Sequence, residues 1–180
     1  MRLTKLLSLT LVFVILFSVC VVSASAGTKI NFKPVVSGGK IYGTSLETDQ
    51  AVFRTLFKNK GVDLYRDGKL LSTGEEVNIG TGFTAKINNR FYPIVVMGDV
   101  DGDGELTPTD YLLVKRAYMG TYTIGTLARE AVGVAENAEL RAINYIMVKR
   151  AYFGTYDINY EYACAPYDPE ESSGWSDNWI

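Results

Sequence analysis

The sequence predicts an α+β chain in two parts. A small β-rich module of order β-α-β-β-β-β covers residues 27–97, and a helical part of two loop–helix repeats covers 98–157. Three observations carry this reading. Residues 28–97 alternate short apolar segments with turn residues, a strand signature broken by one helical period. Residues 98–157 repeat themselves at an offset of 34, with Glu105 falling on Glu139 and Val114-Lys-Arg-Ala-Tyr118 on Val148-Lys-Arg-Ala-Tyr152. Only the first copy opens on an acid-rich loop, Asp99-Val-Asp-Gly-Asp-Gly-Glu105.

Taken in order, "KINFKPVV" alternates Ile30, Phe32 and Val35, and Pro34 restricts it to a sheet edge because proline lacks the ladder N–H. "GTSLETDQAVFRTLFKNKG" reads as a helix: Thr44 and Glu47 are spaced as a capping box, Leu46, Phe53 and Phe57 share a face, and Gly61 stops it. "VDLYRDGKLL" is a hairpin around Arg66-Asp67-Gly68, and "EEVNIGTGFTAKI" is a strand whose glycines suggest a bulge or sharp bend. "INNRFYPIVV" turns at Asn88-Asn89 into a strongly apolar strand. In the second part, Asp110 begins a helix whose apolar face is Tyr111, Val114, Ala117 and Tyr118, and Gly120 ends it.

Ahead of this lies a processing signal. Arg2 and Lys5 precede the apolar run Leu6–Val22, and Ala24-Ser25-Ala26 supplies the small residues of a cleavage site, so residues 1–26 are expected to be removed and the protein secreted. The run is short for a membrane span. Cleavage leaves 154 residues with 16 basic against 20 acidic side chains, a net −4 that argues against nucleic acid as a partner. Cys164 is then the one cysteine, which excludes a disulfide framework. The absence of histidine removes Ser-His-Asp and Cys-His nucleophile systems and His-based zinc motifs. Neither part is large enough for a substrate cleft, so no enzyme activity and no catalytic residues are expected. Residues 158–180 form an acidic, turn-rich tail carrying Trp175 and Trp179.

The acid-rich loop has the spacing of a calcium loop. Calcium takes six to eight oxygens in a flexible shell, and a loop wrapped around an ion turns alternate residues inward. With Asp99 at position 1, Asp101 is at 3, Asp103 at 5, the Glu105 carbonyl at 7, Thr107 at 9 and Asp110 at 12. Gly104 stands at position 6, where the chain must turn sharply. Without a cation, carboxylates this close repel one another. No entering helix precedes the loop; the apolar strand Ile94-Val95-Val96 does.

"GDVDGDGELTPTDYLLVKRAYMGTY" and the partial copy "AENAELRAINYIMVKRAYFGTY" resemble the type I dockerin family of clostridial and ruminococcal secreted proteins. The resemblance implies two calcium-ordered loop–helix units packed antiparallel, which plug their carrier into a cohesin module of a scaffoldin or the cell surface. It also implies partner contacts at Pro108, Thr109, Lys115 and Arg116, with counterparts Ala142, Ile143, Lys149 and Arg150. The second loop departs from the pattern: positions 1, 3, 5, 6 and 12 are Gly133, Ala135, Asn137, Ala138 and Asn144. No carboxylate remains at a ligand position, so one calcium site is expected rather than two, with Asn144 still capping its helix. Val148, Tyr145 and Tyr152 are expected to pack that helix against the first. Pro108-Thr109 and Ala142-Ile143 differ in polarity, which points to docking through one face by a monomeric protein. Two other readings stay open: an extracellular structural domain that no longer binds cohesin, and a carbohydrate-binding accessory role in which Tyr42, Tyr65 and Tyr92 stack on sugars.

Overall fold

Short turns set the strand pattern. Asn88 and Asn89 both adopt left-handed backbone, φ 49° and 64°, which asparagine tolerates and which suits a two-residue hairpin. They join β5 (Thr84–Ile87) to β6 (Arg90–Val96), and Asp67-Gly68 likewise joins β3 (Val62–Arg66) to β4 (Lys69–Leu70). The computed structural model describes residues 34–57, 61–135 and 138–158. The signal segment, Cys164 and the tail with Trp175 and Trp179 lie outside the described residues.

With β1 (Val35–Ser37) and β2 (Lys40–Thr44), these strands form one mixed six-stranded sheet in the order β1-β2-β6-β5-β3-β4. β2 and β6 run parallel, and every other neighbouring pair is antiparallel. Four helices accompany it: α1 (Gln50–Leu56), α2 (Pro108–Tyr118), α3 (Thr126–Ala131) and α4 (Ala142–Tyr152). The class is α+β.

Besides the added helix α3, two elements differ from the sequence reading. β2 is an additional strand, so the first part runs β-β-α-β-β-β-β. Its Lys40-Ile-Tyr-Gly-Thr44 segment is held by parallel pairing of Ile41 with Ile94, a partner more than fifty residues away, and local pattern cannot show that. Helix α1 starts later than Thr44. Asp49 is its N-cap, accepting from the Ala51 N–H at 2.7 Å, while Thr44 is buried at the end of β2 and Glu47 has left-handed backbone at φ 56°. A residue in that conformation cannot occupy the first helical turn.

Successive strand residues point to opposite faces, and β6 uses both. Ile94 and Val96 enter one core with Phe53, Leu64 and Ile79; Val95 enters a second with Val114, Val132 and Val148. The uninterrupted apolar run of β6 is therefore a strand covered on both sides. Met97 and Val100, on either side of the junction expected at 97/98, are both buried in the second core, and all described residues belong to one compact unit.

Candidate metal centre

β6 delivers the chain into the loop at Gly98, φ 92°, and the carboxylates then fold the loop on themselves. Asp99 Oδ1 accepts from the Gly102 N–H at 2.7 Å, and its Oδ2 from Thr81 at 2.6 Å and Gly104 at 3.2 Å. Asp101 Oδ1 accepts from the Asp103 N–H at 3.3 Å, and Asp103 Oδ1 from Glu105 at 2.8 Å. Aspartate favours such turns because its short side chain reaches the backbone two residues on. The result gathers carboxylate oxygens of Asp99, Asp101 and Asp103 within 4.8 Å of one another.

Asp110 is fully buried beside them, but its oxygens face backbone. Oδ1 accepts from Val100 at 2.8 Å and Asp101 at 3.3 Å; Oδ2 accepts from the Thr107 N–H at 2.7 Å. Thr107 caps α2 and Pro108 is its first residue, so Asp110 lies in the first turn as the acid of a capping box rather than starting the helix. The Thr107 hydroxyl donates to Asp110 at 3.1 Å and accepts from the Thr109 N–H, and so serves the cap. The Glu105 carboxylate accepts from the Asn78 amide at 3.2 Å.

Among the described residues no lysine or arginine pairs with these acids. Burial pushes the Asp99 carboxyl up to about 6, and the Asp110 charge adds to the rise against three N–H donors. Asp101 is also pushed up to about 6, first by desolvation, then by Asp110 and Asp103. Hard oxygens, a turn at Gly104 with φ 82°, and uncompensated buried negative charge are what a divalent cation needs. The cluster can hold a metal ion.

Other contacts hold the second loop. Asn144 Oδ1 accepts from the Arg141 N–H at 2.9 Å, repeating the role of Asp110, while its Nδ2 donates to the Val132 carbonyl at 3.0 Å. A carboxylate could not make that second bond. The Arg129 guanidinium donates to the Ala138 carbonyl, so a fixed cation stands against this loop. Gly133, Ala135 and Ala138 carry no ligand atoms in their side chains, and Glu136 and Asn137 lie outside the described residues.

No family profile, curated protein or solved structure matches this chain.

All eight expected contact residues are exposed: Pro108, Thr109, Lys115 and Arg116 on α2, and Ala142, Ile143, Lys149 and Arg150 on α4. α2 and α4 pack together through buried Val114 and Val148, with Tyr111 5.6 Å from Tyr152 and 6.3 Å from Tyr145 between ring centroids. Tyr118, expected on the apolar face, is exposed instead. Both helices end alike. The Thr121 and Thr155 N–H groups reach back 2.9 Å to the Arg116 and Arg150 carbonyls, with Gly120 and Gly154 at φ 71° and 67°. There the Arg116 guanidinium lies 5.3 Å over Tyr122 and that of Arg150 5.9 Å over Tyr156.

Of the tyrosines weighed as sugar platforms, Tyr92 is buried and Tyr42 donates to Glu130 at 2.8 Å; Tyr65, half-buried, meets Phe91 edge-on. Among the described residues no helix is long and apolar enough to cross a membrane. The sequence reading did not anticipate what braces the loop from outside it: Thr81 on Asp99, Asn78 on Glu105, and the Glu47 N–H on the Gly104 carbonyl at 2.8 Å. The only local signal was Gly80-Thr81-Gly82, readable as a bend but not as a neighbour of the acids.

Proposed function

We propose that this is a secreted, non-catalytic docking protein. One calcium ion held by Asp99, Asp101 and Asp103, with Asp110 and the Glu105 carbonyl, orders a dockerin-like pair of helices that binds a cohesin module. The observation that carries this is the surface of those helices. Large apolar side chains stand in solvent at equal repeat positions, Leu112 and Ile146 at 46% and 43% exposure, Met119 and Phe153 at 62% and 60%. They flank Lys115-Arg116 and Lys149-Arg150 on the same helices. Exposed apolar side chains repeated in register beside basic residues suit an interface, where a few such anchors dominate affinity.

The acids supply the ordering. Calcium would neutralise charge that the fold otherwise holds buried, and the ordered first loop fixes the start of α2 through Asp110. Calorimetric titration of residues 27–180 with calcium tests the site, with one equivalent expected and none for the Asp101→Ala, Asp103→Ala double variant. Capture by cohesins, with and without chelator, tests the docking. Capture that ignores chelator, or no capture by any cohesin tried, counts against it.

One observation favours a second reading, an extracellular structural domain without cohesin binding. Arg116 and Arg150 are drawn over tyrosines at their own helix ends, which gives the basic pairs an intramolecular role. Calcium binding without cohesin capture would select this reading.

A further inference from the structure

The cation loop does not stand free of the sheet. Residues 78–81 run as a strut between it and the start of α1. On one side the Ile79 N–H donates to the Thr48 carbonyl at 2.8 Å, and just before it the Val77 carbonyl accepts from Gln50 at 3.0 Å. On the other side the Thr81 N–H donates to Asp99 Oδ2 at 2.6 Å and Asn78 Nδ2 to Glu105 at 3.2 Å. The Thr81 hydroxyl joins the strut to β6, donating to the Val96 carbonyl and accepting from the Val96 N–H, each at 3.1 Å.

Between strut and loop there is room only for backbone. A Cβ on Gly80 would lie 2.2 Å from the Gly102 carbonyl oxygen and 2.9 Å from the Gly104 nitrogen. Reciprocally, a Cβ on Gly102 would lie 2.7 Å from the Thr81 carbonyl oxygen, and one on Gly104 2.7 Å from that of Ile79. Gly102 and Gly104 also need their positive φ of 82°. Gly80 is not under that constraint, so its lack of a side chain answers to the close approach alone.

We infer that the strut Asn78–Thr81 is a positioning part of the cation site, so that calcium binding to the loop and ordering of the sheet's strut region are one coupled equilibrium. The inference rests on the calcium reading of the loop. Asp99 is the joint, since it gives the loop a ligand while accepting the Thr81 N–H. An ion that fixes Asp99 also fixes Thr81. Through the Phe83 N–H to the Gly80 carbonyl at 3.1 Å, and the Gly82 N–H to the Ile94 carbonyl at 3.0 Å, it steadies the entry to β5 and its contact with β6. Linkage is reciprocal, so a change in the strut must alter calcium affinity by the factor with which calcium alters the strut.

The test uses the whole secreted chain with calcium chloride as the probe. In wild type, calcium is expected to slow amide exchange at Ile79, Thr81 and Phe83 at least tenfold relative to chelator. Gly80→Ala, which removes no ligand atom, is expected to weaken calcium binding by tenfold or more in calorimetry; Asn78→Ala, a milder change that keeps the fold if Gly80→Ala does not, by a few-fold. Wild type that binds calcium while exchange at the strut and affinity in a folded Gly80→Ala or Asn78→Ala stay unchanged overturns the coupling and leaves the ion site standing. Wild type that takes up no calcium at all overturns the ion site and the coupling together.

Discussion

On the proposed calcium reading, acidification should stabilise this protein in chelator and destabilise it with calcium bound, because the same carboxyl answers to both. Asp99 is fully buried, and burial raises it from 3.8 to about 6. For an acid whose folded pKa exceeds its unfolded value, ionisation costs stability. That cost is present in full above the folded pKa and fades as pH falls toward the unfolded one. Over pH 7 to 5 in chelator, the shift of Asp99 alone yields a gain of roughly 1 kcal/mol. At about 2 kcal/mol per molar urea this moves the unfolding midpoint up by ~0.5 M. Asp101, raised by the same cause but at the exposed rim, adds in the same direction. Calcium reverses the slope. Calcium at a hundred times its dissociation constant contributes about 2.7 kcal/mol by mass action, and protons compete for the carboxylates that hold it. The midpoint with calcium should therefore fall as pH drops over the same window. The assay is urea unfolding at pH 7, 6 and 5, with chelator and with calcium, followed by tyrosine fluorescence. A chelator midpoint that is flat or falls on acidification refutes the claim that Asp99 is held ionised at a cost. Parallel slopes in the two series refute its place in the ion site.

Three further outcomes follow from contacts elsewhere. Asn144→Asp removes the donor to the Val132 carbonyl and buries a second charge without a partner, and should cost about 2–4 kcal/mol in urea unfolding at pH 7. Tyr42→Phe takes one of two donors from the buried Glu130, which also accepts from Lys40 at 2.9 Å, and should cost about 1.5–3 kcal/mol, checked by the same unfolding assay. Val148→Ala opens a cavity where α4 meets α2 and should cost about 2 kcal/mol and lower the protection of α2 amides in hydrogen exchange.

What could be read in the sequence is what local chemistry decides. Asp67-Gly68 and Asn88-Asn89 turn within two residues, so both hairpins were legible, as was the loop, whose three gathered aspartates alternate along five residues. The helix end at Gly120 and the capping role of Asn144 were legible for the same reason. The errors lie where a distant partner decides. Lys40–Thr44 is a strand because β6 runs beside it, and the capping pattern of Thr44 and Glu47 was overruled because that stretch finishes β2 and then hands an N–H to Gly104. α3, only six residues long, has too few turns to show a period. Nothing local brings Gly80 so close to Gly102 that no side chain fits between them; only the folded sheet does.

The two loops solve one electrostatic problem in opposite ways, and this explains how the chain could copy a helix while discarding its acids. A helix start needs its first N–H groups satisfied and its entering loop closed. In the first repeat Asp110 satisfies the Thr107 N–H and the loop N–H groups of Val100 and Asp101, but it brings negative charge next to Asp99 and Asp101. A mobile cation is the natural remedy there, because no basic side chain reaches these acids among the described residues. In the second repeat Asn144 satisfies the Arg141 N–H without charge and spends its amide hydrogen on Val132, and Arg129 closes against Ala138 from within the chain. The order of α4 then rests on its own cap and on Val148, whereas on the proposed calcium reading the order of α2 is tied to the ion through Asp110 and the loop it closes, and through Asp99 to the sheet. On that reading, the exposed stripe joins one helix whose start answers to the ion to one that does not, so loss of calcium would alter the stripe, and docking would respond to calcium on that basis.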